Sequence, residues 1–217
     1  MSVNVARSGW YRWVFDHLDL PTSARVLDVG SGRGFFWRAN ADRLPRSWNV
    51  VCLDVVSGIV HQGDQLDDRP NTRWLTGDVH SLPFGEKAFD GIVALHVLAG
   101  TMLSASVDEL RRVISGPGAV YATSSGSDHV RAIAESLATR FQDVRITPYA
   151  DAVQKQELEP LADTLATSWS RWPGIDGATP EETRTRIAQV LEGMGTFDVH
   201  REDCLIVAKR EVPALQG

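Results

Sequence analysis

Residues 25–34 read Arg-Val-Leu-Asp-Val-Gly-Ser-Gly-Arg-Gly, and this stretch decides the fold class. Its first half, 25–29, is a short apolar run typical of a buried parallel strand. Three glycines follow at alternate positions, and a helix is predicted to begin directly after them, at about Phe35. Glycine is needed where a backbone turns sharply and a ligand approaches closely. A strand, a tight turn and a helix in this order therefore predict a ligand site at the carboxyl end of a strand.

The same alternation of strand and helix continues along the chain. Strands are predicted at 49–55, 72–75, 89–95 and 119–123, and helices at 10–18, 35–44, 57–66, 106–115 and 128–141. The helix at 106–115 is expected to open with a capping box, Ser106 and Glu109. Strands that alternate with helices of this length predict a parallel sheet covered on both faces.

The pattern changes after residue 142. A further strand is predicted at 144–148, helices at about 154–172 and from Thr179 onward, and an antiparallel edge hairpin from the apolar runs 197–200 and 204–209. The expected fold is a Rossmann-like three-layer α/β sandwich, whose seven-stranded, mostly parallel sheet ends in this terminal hairpin. We expect one domain, 1–217, with an N-terminal lid helix within 1–20 and a helical cap on the acceptor side at about 142–195.

Composition narrows the classes of function. The 217 residues are 43% hydrophobic and 23% charged, which is typical of one globular domain. The net charge of -6 disfavours nucleic acid as a partner, because phosphate contacts need concentrated Lys and Arg. With neither a signal-peptide core nor a membrane span, a cytoplasmic location is expected. Cys52 and Cys204 lie in separate apolar runs and are predicted to be buried thiols; no metal is expected.

The spacing of the glycines favours one class of cofactor. Dinucleotides bind at G-x-G-x-x-G, beside a pyrophosphate. Here the spacing is G-x-G-x-G, and Asp28 stands two positions before Gly30. A carboxylate there would repel a pyrophosphate and attract an ammonium group. S-adenosylmethionine carries an ammonium and a sulfonium and no phosphate, so it is favoured over a nicotinamide cofactor.

Two more carboxylates follow strands. Asp54 ends the second strand, where it is placed to accept hydrogen bonds from ribose hydroxyls. Asp78 follows the third strand and precedes Val79, and a carboxylate beside a backbone N–H can read the amino group and ring nitrogen of adenine. Because parallel strands end at one edge of a sheet, Asp28, Asp54 and Asp78 predict a single site.

These stretches resemble the class I S-adenosylmethionine-dependent methyltransferases of the UbiE-like small-molecule type. The resemblance rests on VLDVGSGRG (26–34), VVCLDVV (50–56), LTGDVHSLPFGEKAFDGIVALHVL (75–98), RRVISGPGAVYATSS (111–125) and FDVHREDCLIVAKR (197–210). It implies methylation of a small-molecule acceptor, with S-adenosylhomocysteine as the second product. The implied cofactor site comprises Asp28, Gly30, Ser31, Gly32, Gly34, Asp54, Val55, Asp78, Val79, His80, Leu95 and His96.

Single residues rather than motifs point to the acceptor side. His96 follows the fourth strand, where the family likeness places groups beside the sulfonium, so it is a candidate general base. The alternative is a histidine that only packs under the cofactor. Trp10 and Tyr11 are candidates for a lid or for core packing. Tyr149 and Trp169 are candidates for an apolar acceptor pocket or, equally, for the core.

Other functions are weighed against this one. A protein that binds S-adenosylmethionine but senses it, or performs another reaction such as a cyclisation, stays open because the loop after His96 lacks the polar His-x-x-Asp stretch of related sequences. A nicotinamide oxidoreductase would need the longer glycine spacing and a hydride-site set. Charge disfavours a nucleic-acid methyltransferase. The sequence leaves open the acceptor, the methylated atom, and the choice between monomer and homodimer.

Overall fold

The computed structural model describes residues 5–65, 67, 69–98, 102–149, 152–153, 199–200 and 203–210. The helices in this part of the chain are α1 (Val5–Asp16), α2 (Phe35–Ala39), α3 (Ser57–Gln65), α4 (Leu103–Val113) and α5 (Ser127–Ala138). The strands are β1 (Arg25–Val29), β2 (Asn49–Asp54), β3 (Thr72–Thr76), β4 (Phe89–Leu95), β5 (Ile114–Ser125), β6 (Asp143–Tyr149), β7 (Ala152–Val153), β8 (Val199–His200) and β9 (Asp203–Lys209).

The chain divides into two compact units. One comprises Trp10–Tyr149 and Glu202–Gly217, and the other comprises Met1–Gly9 and Ala150–Arg201. In the second unit, β7 and β8 form a two-stranded antiparallel sheet. The helices predicted between 154 and 195 and the candidate acceptor residue Trp169 lie outside the described residues.

The larger unit is built on a seven-stranded sheet with the order β3-β2-β1-β4-β5-β9-β6. The first five of these strands are parallel, and β9 is antiparallel to both β5 and β6. This confirms the predicted mostly parallel sheet with an antiparallel end. The strand order reverses between β1 and β4, and open α/β sheets bind ligands at the carboxyl ends of strands beside such a reversal.

The antiparallel end is assembled differently from the expectation. In the described part of the runs 197–200 and 204–209, the two do not pair with each other: β8 pairs with β7, and β9 inserts between β5 and β6. The reason is that Leu205, Ile206 and Ala208 are all buried, as in a central strand with partners on both sides. The predicted hairpin partner was therefore wrong, although the antiparallel edge itself is present.

The predicted capping box at the start of α4 was also wrong. The helix begins at Leu103, so Ser106 lies inside it and its hydroxyl donates to the carbonyl of Met102 at 3.4 Å. The carboxylate of Glu109 accepts the N–H of Leu82 at 2.7 Å and pairs with Arg112. Glu109 and Arg112 therefore hold α4 against the chain before β4, whereas Ser106 bonds only to the residue that precedes its own helix.

Alternating strand residues divide the core into two layers. On one face, β-strand residues such as Leu27 and Ile92 pack with residues of α4 and α5. On the other face, residues such as Val26 and Val93 pack with α1 and α2. Because successive strand residues point to opposite faces, helices cover both sides of the sheet, as predicted. Cys52 is fully buried. Among the described residues, no helix is long and apolar enough to cross a membrane.

Candidate active site

The turn after β1 has a backbone that only glycine adopts readily. Gly30, Gly32 and Gly34 have φ angles of 66°, 54° and 70°, in the left-handed region. The N–H of Ser31 donates to the carbonyl of Leu53 at 3.1 Å, which ties the turn to β2. The N–H of Gly34 donates to the carbonyl of Ser31 at 2.9 Å and closes the turn. The alternate glycines noted in the sequence therefore build a rigid turn at the carboxyl edge of the sheet.

Two of these glycines are also crowded by their neighbours. A methyl group on Gly30 would lie 2.6 Å from Cγ2 of Val97, and one on Gly34 would lie 2.7 Å from the Trp74 ring. Around Gly32 nothing lies within 4 Å of that position. The turn is thus packed at both ends and open in the middle, where a ligand can reach the backbone.

Asp28 precedes this turn and is buried, with 2% of its surface exposed. Its Oδ2 accepts a hydrogen bond from the indole N–H of Trp37 at 2.7 Å. Burial raises the pKa of Asp28 to about 7, the bond from Trp37 opposes the rise, and the charge of Asp54 adds to it. A cation next to Asp28 would therefore favour its ionised form, because opposite charges lower the pKa of a carboxyl.

Asp54, at the end of β2, holds the turn through both carboxylate oxygens. Oδ2 accepts the N–H of Gly32, and Oδ1 accepts the N–H of Val56, each at 3.0 Å. A carboxylate oxygen has a second lone pair, so Asp54 can still accept bonds from ligand hydroxyls. The next residue, Val55, is 67% exposed and offers an apolar surface beside the carboxylate.

Asp78 and His80 form a local turn after β3. Oδ1 of Asp78 accepts the backbone N–H of His80 at 2.9 Å and lies 2.6 Å from Nδ1 of its ring. These contacts, the backbone bond foremost, hold the pKa of Asp78 below its usual range. Val79, between them, packs against the core. The carboxylate is thus kept charged while Val79 anchors the loop.

His96 occupies a strained position directly after β4. Its φ of 56° is unusual for a residue other than glycine, and its N–H donates to the carbonyl of Thr123 at 3.1 Å. The imidazole stacks on Trp10, with ring centroids 5.4 Å apart, and its Nε2 lies 3.7 Å from Oδ1 of Asp203. Leu95, the preceding residue, pairs with Thr123 in the sheet. The candidate base thus lies against α1 and the start of β9.

The remaining acceptor candidates fall into two places. Tyr11 is buried in the core between α1 and α2. Its ring meets that of Phe36 edge to face, with the ring centroids 6.1 Å apart. Tyr149 is the last residue of β6, and the centroid of its ring lies 4.8 Å from that of the Trp13 ring. Both rings therefore contact aromatic residues of the helical layer that covers this face.

Sequence reasoning missed Asp203. It begins β9 and is buried, with its side chain 2% exposed, beside the ring of His96. A carboxylate at the head of an apolar strand was the one available signal. Asp203 lies far along the chain from His96, so the sequence alone does not show that the two side chains meet.

One buried polar atom fits a ligand at the turn. The hydroxyl of Ser31 is buried and has no hydrogen-bond partner among the described residues. Together with the open space at Gly32 and the exposed Val55, it forms a cradle with both polar and apolar parts. These features fit a nucleoside cofactor such as S-adenosylmethionine. In the part of the chain that the structure describes, no group of three or more His, Cys, Asp or Glu could hold a metal ion.

Comparison with known proteins finds these motifs in methyltransferases. The profile of a family described as "Methyltransferase domain" matches residues 26–118, from β1 into β5. A demethylmenaquinone methyltransferase of Beutenbergia cavernae is 30% identical over 166 residues, which cover 76% of this chain and 65% of that protein. Over the segment that carries the cofactor motifs, the chain is therefore similar to class I S-adenosylmethionine-dependent methyltransferases. The resemblance stated from the sequence is thereby confirmed.

Two further proteins are similar to this chain. A 2-phytyl-1,4-naphtoquinone methyltransferase of Thermosynechococcus vestitus is 36% identical over 84 residues, or 38% of this chain and 37% of that protein. The chain thus spans less than two thirds of the length of these curated relatives. The crystal structure of a putative methyltransferase from an antibiotic biosynthesis pathway of Anabaena variabilis has a TM-score of 0.72, with 14% identity. The match covers 96% of this chain and 99% of that one, and it shows the shared fold.

Proposed function

We propose that this protein transfers the methyl group of S-adenosylmethionine to a small-molecule acceptor and releases S-adenosylhomocysteine. The observation that carries the proposal is the glycine turn, which leaves Gly32 open and is held by Asp54 within the segment that matches the methyltransferase profile. A nicotinamide dinucleotide fits this turn poorly, because the buried carboxyl of Asp28 stands where a pyrophosphate would approach.

Each part of the cofactor has its own residues in this proposal. Asp28 and the turn, with Ser31, receive the methionine end, which carries the ammonium group. Asp54 receives the ribose hydroxyls, and Val55 covers one face of the adenine. The adenine edge is read in the loop after β3, and the sulfonium lies near the end of β4. The residues of these last two places are Asp78, Val79, His80, Leu95 and His96.

Methyl transfer depends first on alignment of the acceptor atom with the methyl group of the cofactor. Bound S-adenosylmethionine supplies a methyl group already activated by its sulfonium. Holding two reactants in line is worth up to about 7–11 kcal/mol of barrier. The turn is well suited to this task because its backbone is fixed to β2 by Leu53 and Asp54. His96 is proposed as the general base for an acceptor that loses a proton.

Reduced quinone-like rings are the first acceptors to test. Two relatives are named as methyltransferases of a naphthoquinone and of demethylmenaquinone. The aromatic residues on the α1 side of His96, such as Trp10, suit a flat apolar acceptor. The cytoplasmic location and the lack of a nucleic-acid partner stay predictions. The choice between monomer and homodimer stays open.

Thermal unfolding with added ligand tests the cofactor directly. A ligand at 100 times its Kd adds about 2.7 kcal/mol of stability, which raises the midpoint of a chain this size by roughly 5–10 °C. We expect this rise with S-adenosylhomocysteine and S-adenosylmethionine and none with NAD. A rise with NAD alone would refute the proposal. Cofactor binding without transfer to a panel of quinols, phenols, amines and thiols would favour the non-methylating alternative.

A further inference from the structure

Asp203 is a buried carboxylate on β9, the last strand in the described part of the chain. It stands at the first position of β9, level with Ser125 of β5 and Tyr149 of β6. Its side chain is 2% exposed, whereas that of Asp143, which pairs with Arg145, is 43% exposed. Burying a carboxylate is costly unless hydrogen-bond donors or cations compensate it.

The imidazole of His96 faces this carboxylate. Nε2 of His96 lies 3.7 Å from Oδ1 of Asp203, and the ring itself is 32% exposed. Trp10 stacks on the ring with an interplanar angle of 28°. The backbone of His96 is held in the left-handed region by its bond to Thr123. The ring is therefore flanked by its own turn of backbone, by an aromatic neighbour and by a buried carboxyl group.

A carboxylate behind one ring nitrogen decides which nitrogen carries the proton. A neutral imidazole has one N–H and one lone pair, and a hydrogen bond from the N–H fixes their places. The 3.7 Å gap between Nε2 and Oδ1 is an ion-pair contact, and a hydrogen bond formed by its closing would place the N–H at Nε2 and leave the lone pair at Nδ1. The same carboxylate stabilises the imidazolium that forms when Nδ1 takes up a proton.

We propose that Asp203 is a positioning residue that orients His96 as the proton acceptor for a hydroxyl-bearing acceptor molecule. The inference rests on the proposed function, since it assigns His96 a proton to remove. A second observation fits it: the indole N–H of Trp10, on the ring stacked against His96, is buried and has no partner among the described residues. A donor of this kind suits an acceptor oxygen.

The proton and electron balance of the step is simple. The acceptor hydroxyl gives its proton to Nδ1 of His96, and its oxygen forms a bond to the methyl carbon. The bond between that carbon and sulfur breaks, and its electron pair stays on sulfur. The products are the methyl ether, S-adenosylhomocysteine and an imidazolium next to Asp203. A neutral amine would need no such base before the attack, because its lone pair is already free.

Nitrogen-15 NMR of the histidine rings tests the pairing without any acceptor. The free wild-type protein is recorded at a pH where imidazoles are neutral, and His96→Gln identifies the signals of His96. We expect a ring proton at Nε2 that exchanges slowly with water, and at least ~10-fold faster exchange in Asp203→Asn, because a neutral amide is a weaker acceptor. Asp143→Asn, at the other end of the same strand pair, is the matched control.

Two outcomes would overturn the proposal. One is a wild-type spectrum without a protected Nε2 proton on His96, a result that needs no folded variant. The other is the same exchange rate in Asp203→Asn as in the wild type. Calorimetry with S-adenosylhomocysteine is run alongside. If the wild type does not bind S-adenosylhomocysteine, the proposed function is refuted. The ring spectrum reports on the contact between Asp203 and His96 in either case.

Discussion

The indole N–H of Trp37 donates to the carboxylate of Asp28 across 2.7 Å, and both side chains are buried. The acidic residue of the glycine-rich motif is therefore held by the helix that follows the motif. Burial rather than solvent governs its charge, and its pKa of about 7 lies close to neutral pH. Small changes around Asp28 should consequently alter both folding and ligand binding.

The first prediction concerns the pH dependence of stability. The folded pKa of Asp28 is about 7, against about 3.9 in an unfolded chain, so between these values the folded state holds the extra proton. Stability from this group is present at low pH and is lost as pH rises through 7. Asp28→Asn should remove that loss while still accepting the bond from Trp37. Its advantage over the wild type should grow by up to roughly 4 kcal/mol between pH 4 and 8.

Urea unfolding at several pH values measures this difference. Asp143→Asn serves as the control, since Asp143 is a surface carboxylate whose side chain is 43% exposed. Its stability should follow the wild type at every pH. Parallel profiles for Asp28→Asn and the wild type would contradict the prediction and would mean that burial does not perturb Asp28.

The second prediction separates crowding from backbone strain at the turn. Gly32→Ala adds only the cost of a left-handed alanine, about 1–2 kcal/mol. Gly30→Ala adds the same strain and also a clash with Val97, worth a further 1–3 kcal/mol or so. Chemical denaturation should thus find Gly30→Ala less stable than Gly32→Ala. Adding Val97→Ala should relieve part of the Gly30→Ala defect, and an equal loss in the two single variants would rule out crowding.

The third prediction tests the ribose assignment. Asp54→Ala removes the carboxylate that binds the N–H groups of Gly32 and Val56. Because it also removes a charged acceptor from the ligand, affinity for S-adenosylhomocysteine should fall roughly tenfold or more by calorimetry. Asp64 is an exposed carboxylate on the neighbouring α3, so Asp64→Ala should bind S-adenosylhomocysteine as tightly as the wild type does. Unchanged affinity in Asp54→Ala would remove Asp54 from the site.

The fourth prediction tests His96 as the base. His96→Gln keeps a polar side chain on the stacked surface of Trp10 but cannot accept the proton. With an acceptor found in the panel, kcat should fall by about 10²–10⁴ while affinity for S-adenosylhomocysteine changes little. His61→Gln, on the exposed face of α3, is the matched control and should keep its rate. A fully active His96→Gln enzyme would exclude His96 from proton transfer.

The sequence predicted the parts of the site that depend on local chain geometry. The left-handed glycines, and the positions of Asp54 and Asp78 at strand ends, follow from short-range patterns of turns and apolar runs. The layering of helices on both faces follows from the same alternation. Such features need only neighbours in the chain, which is why one sequence suffices to place them.

What the sequence did not predict depends on contacts between distant segments. Ser106 and Glu109 match a helix start locally, yet α4 begins three residues earlier and Glu109 binds Leu82. The bond from Trp37 to Asp28 and the approach of Asp203 to His96 require the packed arrangement of helices and strands. No local sequence pattern predicts these contacts, because each partner is an ordinary residue in its own segment.

The insertion of β9 between β5 and β6 also has a consequence for biosynthesis. About 80 residues of chain separate Ser125 from Asp203, which lie level with each other in the sheet. During synthesis from the amino terminus, the five parallel strands leave the ribosome well before the strand that joins β6 to them. Until then the edge of β5 is open to pairing with other chains. Assembly of the sheet, and with it the carboxylate next to His96, is therefore a late event of folding.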